Sequence, residues 1–545
     1  MKTISNGLLS NCHYIFFSIY FLIGFSIYKD YGFNIDETFQ RRSGLYWLEY
    51  LFNFFGLEKL SLIANEKLLS SSNFTEPWSD VYGIIFDVPA ALIEIIFSLN
   101  KPIQMYEMRH FLTFFYFYIG IIFFYKTLLL RFDNKFLSLA GCFLLIFTPR
   151  IFGDSFQNNK DLVFLTFFII STFYIFKTFE NFNIKNIFLL AIFSSIATST
   201  RLFGLIFPFT FIFIYFLSIL SNKDDLKNIN KIFIFIFLYI LFLFLHWPYL
   251  WISPLEKLSY LLNNLQTFGP TLVYFNDVFY NTELVPFHYL PLWIFISTPV
   301  INLILFLSGL FLLSKVFILK LFSIEKSKSN YDFWNNNNEK KDFFIFITFI
   351  IFSVIGIFFA TKHYNSWRIF YFLNFFFIYF AIYFLSLIFI FPKFKKYINV
   401  LIVVLSITSL FNIYKIFVYH PYQSLYFNEL LSNKFKNKFE IDFTGLSGIK
   451  FLREVVMSDK SNEIKIGINS WYPLWRMKEL LPEIEEKRVV FVYDDIKNAD
   501  YVYSNKIYNV NVKLSDKFSL DDTFTLYKQH FVDGILIYEV HKKIK

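Results

Sequence analysis

Only two cysteines occur in the 545 residues, Cys12 and Cys142, and both lie in or beside apolar runs, so neither a disulfide framework nor a thiolate metal site is available. Charge is also scarce: 17% of residues are charged and 56% hydrophobic, a balance a soluble protein of this length seldom shows. No small-residue cleavage site follows the first apolar run, about Tyr14 to Tyr28 behind Lys2, so that run reads as an uncleaved span. No internal repeat is visible and the charges avoid the middles of the apolar runs, which argues against a transporter or channel. There is no Ser–His–Asp or Cys–His pattern of the kind nucleophilic catalysis uses. The net charge of +9 does not indicate nucleic acid, because the lysines fall mostly in short loops between apolar runs, where they orient a membrane protein.

What is abundant is apolar surface, with 82 Phe and 36 Tyr. Runs near 20 apolar residues fall at about 12–28, 111–130, 135–149, 162–178, 186–200, 203–220, 231–248, 291–314, 343–360, 368–391 and 398–418. The fold class expected is a polytopic α-helical membrane protein of about eleven spans, residues 1–418, followed by a soluble α/β domain, residues 419–545. With the N-terminus inside, the inner loops receive Arg131 and Lys135; Lys185; Lys223, Lys227 and Lys231; Lys315, Lys320, Lys326, Lys328, Lys340 and Lys341; and Lys393, Lys395 and Lys396. The outer face then carries 29–110, 149–161, 198–202, 249–290, 361–367 and the tail.

Those outer segments hold the unusual polar residues. Residues 29–110 form a structured loop in which Asp36 and Glu37 precede an amphipathic pattern (Tyr46, Trp47, Tyr50, Leu51, Phe54) suited to an interfacial helix. The alternative reading of Asp36 is as that helix's cap, the lesser of the two. A second stretch, about 79–99, is interrupted by Asp87, Pro89 and Glu94 and is placed outside the bilayer, since one more span would invert every later loop. Arg109 and His110 stand where the next span begins. "PRIFGDSFQNNKD" lies on the same face, so two acidic loops meet there. Paired interfacial carboxylates bind a divalent cation or transfer a proton, and the cations Arg150, Lys160, Arg201, Lys362 and Arg368, with His363, at span mouths suit a phosphorylated lipid.

"FNIDET", "RH", "PRIFGDSFQNNKD", "STSTRLFG", "HWPYLW", "YNSWRIFYF" and "YHPYQSLYFNELL" followed by "FEIDFTGLSGIKFLRE" together resemble bacterial members of glycosyltransferase family 39. These are type C integral membrane glycosyltransferases related to protein mannosyltransferases and aminoarabinose transferases. The resemblance runs in order through nearly the whole chain. It implies transfer of a monosaccharide, with inversion, from a polyprenyl-phosphate donor to an unknown glycan, lipid or protein acceptor on the outer face. It also implies that Asp36 is the base or metal-organising acid with Glu37 beside it, and Asp154 the second acid. Arg109, Lys160, Arg201 and Arg368 would bind the donor phosphate, and Asn158, Asp161, His110, His363 and His420 are further site candidates. A divalent cation, Mg or Mn, would sit on Asp36 and Asp154. The family commonly reads "YDGWRH" or "YNGWRH" where Ser366 and Ile369 occur here. A lipid-linked oligosaccharide ligase or polymerase is the rival enzyme class, separated from the first by donor size.

In the tail, "EIKIGI", "RVVFVYDD" and "ADYVYS" read as strands, 445–457 and 473–481 as helices, and "KQHFVDGILIYEV" as a hairpin turning at Asp533-Gly534.

Overall fold

The computed structural model describes every residue except 1, 71–80, 222, 264–271, 323–333, 359–362, 391–397, 471–473, 493–495, 506–519 and 545. Apolar runs without water must close their backbone hydrogen bonds within the segment, and these runs do so as helices. Among the described residues, seven helices are long and apolar enough to cross a membrane: Pro102–Phe132, Asp161–Glu180, Leu202–Leu220, Leu226–Leu245, Val300–Lys320, Asn337–Phe358 and Ile398–Tyr419. Another is broken, Lys135–Ile146 meeting Pro149–Gln157 at a 70° bend, and three shorter apolar helices cover Asn11–Ile27, Ile184–Thr200 and Leu373–Phe389. Each of these falls on one of the eleven expected segments. Two starts move: Pro299 separates Tyr289–Ser297 from the helix beginning at Val300, and Arg368 is kept out of its span in a tight turn, Arg368–Phe370.

The phenylalanine excess fills the bundle interior. The Phe168 ring lies 4.8 to 6.0 Å from those of Phe207, Phe352, Phe372, Phe375 and Phe376, distances at which tilted aromatic pairs attract beyond their buried area. Several expected inner-loop cations do share one end of the bundle. Arg131 pairs with Asp342, Lys341 with Glu180 at 2.7 Å, and Lys231 donates to the Phe182 carbonyl at 2.6 Å. Lys326, Lys328, Lys393, Lys395 and Lys396, and Lys362 at the other end, lie outside the described residues.

At the opposite end, helices Glu37–Phe54, Glu58–Ser70 and Asp87–Ile96 pack together between the first two spans. The stretch expected over 79–99 is thus a 10-residue helix, too short to cross a bilayer. Its buried Glu94 is met by Arg41 through two bonds of 2.9 and 2.7 Å and by Lys67 at 3.5 Å, pairing that an uncompensated carboxylate at this depth requires.

A short hairpin, β1 (Leu272–Phe275) and β2 (Val278–Asn281), precedes the C-terminal sheet. Among the described residues that sheet has five strands: β3 (Ile464–Ile468), β4 (Val489–Val492), β5 (Tyr501–Asn505), β6 (Phe524–Val532) and β7 (Ile535–Lys543). Their order is β4-β3-β5-β7-β6, with β3 parallel to both neighbours and β7 antiparallel to both of its own. The β6–β7 turn does fall on Asp533 and Gly534, at φ 48° and 76°. The expected helix at 445–457 runs Ser447–Ser458, while 473–481 tightens to a 3-10 helix at Leu474–Leu480. Asp533 fastens the sheet to the last span through Lys415 at 3.0 Å and the Tyr419 hydroxyl at 2.8 Å.

Candidate active site

The FNIDET loop folds on itself first. The Asn34 amide donates to Glu37 Oε2 at 2.8 Å and the Asp36 amide to Asn34 Oδ1 at 3.0 Å. Asp36 precedes helix Glu37–Phe54 yet makes no side-chain bond to its first turn. Its carboxylate turns instead to Arg368, Oδ2 lying 2.6 Å from Nη1, with 33% of the Asp36 side chain still exposed. Glu37 faces inward, buried, and meets His110 Nε2 at 3.0 Å. It clamps the loop to the next span and does not reach solvent. Glu37→Ala is expected to cost about 1–3 kcal/mol by leaving the Asn34 amide and His110 without their acceptor. The rate per folded molecule should stay within a few-fold of wild type, which thermal unfolding beside a transfer assay would check.

The second acidic loop is a helical ledge, Pro149–Gln157, bent away from the preceding helix. Proline at its first position suits a turn whose amide would have no helical partner. Asp154 is buried and accepts from Gln157 Nε2 at 3.3 Å and Asn158 Nδ2 at 3.2 Å. Asn158 also donates to Asp161 at 2.9 Å, and Gln157 Oε1 accepts from Asn34 Nδ2 at 3.4 Å. The two acidic loops therefore meet through Asn34 and Gln157, which lie inside the FNIDET and PRIFGDSFQNNKD motifs but are not among the site residues named from the sequence. Arg150 is taken up structurally: it donates to the Tyr426 carbonyl at 2.9 Å and to Ser366 Oγ at 3.1 Å, over the Trp293 ring.

Cations line the same region. Arg201 pairs with Asp161, and its guanidinium lies 6.0 Å from the Tyr82 ring. Lys160 sits 3.8 Å over that ring and 3.4 Å from Asp87, which also holds Arg109 at 2.6 Å. Gly44 makes room for Asp87: a Cβ there would lie 2.2 Å from the Asp87 carbonyl oxygen. Nε of Arg201 and of Arg368, and Nε and Nη1 of Arg109, are buried without a hydrogen-bond partner. Unused guanidinium N–H groups beside carboxylates are suited to a further anion. Asp87, visible in the sequence only as an interruption of an apolar stretch, is the acid that fixes two of these cations.

Three histidines lie apart from the Asp36–Arg368 pair. His110 is held by Glu37. His363 is buried against Tyr289 and Phe370 and bonded to the Gly356 carbonyl at 3.0 Å, and burial pulls its imidazole down to about 4. His420 pairs with Asp30 at 3.0 Å on a half-exposed flank. A divalent cation does not fit the donor set: Asp36 is engaged by a guanidinium, Asp154 by two amides, and among the described residues no three His, Cys, Asp or Glu side chains converge.

Two acids in "FEIDFTG" went unassigned in the sequence. Glu440 accepts the Ser366 amide at 2.8 Å and Asp442 accepts Ser447 Oγ at 2.5 Å and Asn505 Nδ2 at 3.3 Å. Burial raises both carboxyls from their ordinary 4.5 and 3.8 to about 7. In the unfolded chain both ionise at the ordinary values, so from about pH 4 to about pH 7 folding takes up protons and stability falls as pH rises, by on the order of a few kcal/mol. A midpoint of thermal unfolding higher at pH 5 than at pH 8, with the slope reduced in Glu440→Gln, is the expected result.

No family model and no curated relative matches the chain. Among solved structures it is similar to ArnT from Cupriavidus metallidurans, a crystal structure with undecaprenyl phosphate bound. The match has 9% identity, covers 97% of this chain and 98% of that one, and has a TM-score of 0.44.

Proposed function

We propose that this membrane protein is an inverting glycosyltransferase that moves a monosaccharide from a polyprenyl-phosphate donor to an acceptor hydroxyl or amine on the outer face of the plasma membrane. The observation that carries the reading is the Asp36–Arg368 pair, one-third exposed on the acid's side and backed by Arg201 and Lys160. The motifs that resemble family 39 supply these same residues.

The chemistry follows from the charges. The acceptor oxygen or nitrogen attacks the anomeric carbon, the bond from that carbon to the phosphate oxygen breaks, and the lipid phosphate departs with the electron pair. Arg368, Arg201 and Lys160 stabilise its growing charge, the orphaned Nε–H groups being available for it. A phosphate that draws Arg368 toward itself frees Asp36 to accept the acceptor's proton. Phosphate is a competent leaving group, so no nucleophilic side chain is called for. Asp154, held by two amides, shapes the floor between the loops.

The test is transfer by purified enzyme from a panel of labelled polyprenyl-phosphate monosaccharides to membrane extract. Donor-dependent product supports the reading; turnover only with oligosaccharide donors would move the protein to the ligase class. Sidedness is tested separately. Ser432 is exposed beside the C-terminal sheet, and Ser432→Cys is expected to react with an impermeant thiol reagent added to intact cells. Reaction only after the membrane is opened would reverse the orientation.

A further inference from the structure

The strip 438–447, between the last span and the sheet, touches both halves of the proposed site. At one end the Lys438 carbonyl accepts the Asp277 amide at 3.0 Å and Phe439 bridges to Phe275, fixing the strip on the β1–β2 hairpin. Next, Glu440 reaches the turn that carries Arg368 by accepting the Ser366 amide at 2.8 Å. That turn has Asn365 and Ser366 at φ 53° and 60°, a left-handed conformation that costs non-glycine residues about 1–2 kcal/mol each and persists only when over-determined. Ser366 is held accordingly: its amide by Glu440, its hydroxyl by Arg150, its carbonyl by the Tyr289 hydroxyl at 3.0 Å. Four residues beyond Glu440, the Thr444 carbonyl accepts the Ile35 amide at 3.2 Å, one residue before Asp36. The approach is close there, since a Cβ on Gly32 would lie 2.8 Å from the Leu446 carbonyl oxygen. Between the two grips, Asp442 is tied into the sheet domain through Ser447 and Asn505.

The geometry points to this strip as a clasp that sets the register of the Asp36–Arg368 pair, with Glu440, acting through the Ser366 amide, and Asp442, acting through Ser447 and Asn505, as positioning residues that touch no substrate. It rests on the transferase reading for its catalytic consequence, and on the contacts alone for its mechanical one. Neither residue bonds to Asp36 or Arg368; Glu440 grips the turn that presents Arg368, while Asp442 anchors the strip whose Thr444 carbonyl grips the Asp36 loop. The C-terminal domain, on this account, tunes the chemistry of the membrane domain.

The experiment pairs hydrogen exchange with kinetics on the full-length protein in detergent. Peptides covering 363–370 and 31–38 report the two grips without any need for turnover. Glu440→Ala should speed exchange in 363–370 at least tenfold and lower kcat at least tenfold while donor KM moves less than threefold. Glu440→Gln keeps an acceptor oxygen and should recover both to within threefold. Asp442→Ala should loosen 31–38 in the same way. Unchanged exchange at 363–370 in Glu440→Ala overturns the clasp, and faster exchange with undiminished kcat overturns its bearing on the site. If wild type turns over no donor, the transferase reading fails by itself and the exchange arm still decides whether the strip grips the loops. Should Glu440→Ala not fold, Glu440→Asp, one methylene shorter, is read by the same two measurements.

Discussion

Asp36→Asn is expected to yield a folded protein that still binds donor but transfers sugar about 10²–10⁴-fold more slowly, the usual worth of a positioned general base. The substitution is nearly isosteric, so the FNIDET loop, held by its own Asn34 and Glu37 bonds, keeps its shape. An amide cannot take the acceptor's proton. It also makes a weaker partner for Arg368 than the carboxylate at 2.6 Å, so donor affinity should hold or rise as the guanidinium becomes freer to meet phosphate. That split, kcat down with donor KM unchanged or lower, separates a base from a residue that merely shapes the site. Transfer near the wild-type rate would remove Asp36 from the mechanism.

Arg368→Gln should produce the complementary pattern. Loss of one preorganised donor to a developing negative charge typically lowers kcat about 10²–10³-fold. Here the change also strips the phosphate of a cation in the ground state, so donor KM should rise as well. The Asp36 carboxylate, one-third exposed, tolerates losing its partner because water can replace it. A fall in unfolding temperature should therefore be small, and far smaller than for Glu94→Ala, which would strand Arg41 in a buried position. If Arg368→Gln kept kcat and donor KM together, Arg201 and Lys160 would have to carry the phosphate alone.

Much of this arrangement was legible in the chain because it is written in long features. A run of Phe, Leu and Ile near twenty residues long admits few readings, and the outer loops announce themselves by carrying acids where lipid-facing sequence carries none. What the linear pattern does not encode is which way a residue faces at a helix start. Glu37 follows Asp36 by one position, but successive helical residues turn by roughly 100°, so Asp36 meets Arg368 while Glu37 points inward to His110. Arg109 and Arg201 look alike at span mouths, yet Arg109 is fully buried against Asp87, a partner 22 residues upstream that the sequence shows only as an interruption of a helical stretch. Glu440 was hidden for another reason: its partner is a backbone amide, and no side-chain motif marks an amide. At Ser366, where resembling sequences carry glycine, the left-handed backbone is retained and three hydrogen bonds hold a residue that would otherwise resist it.

The span of chain that the clasp bridges has a consequence for biosynthesis. The Arg476 side chain reaches the Ile35 carbonyl across 441 residues of sequence, and the Thr444 carbonyl holds the Ile35 amide from nearly as far. A ribosome adding about 5–20 residues per second inserts the Asp36 and Asp154 loops well before it delivers the segments that hold them. The nascent chain already holds both partners of the Asp87–Arg109, Asp87–Lys160 and Asp161–Arg201 pairs at that stage, but Asp36 waits for Arg368 and for the segments that grip both loops. The geometry of the Asp36–Arg368 pair is therefore completed only with the last portion synthesised, and a chain interrupted before Thr444 lacks the Thr444 and Arg476 contacts that hold the Asp36 loop.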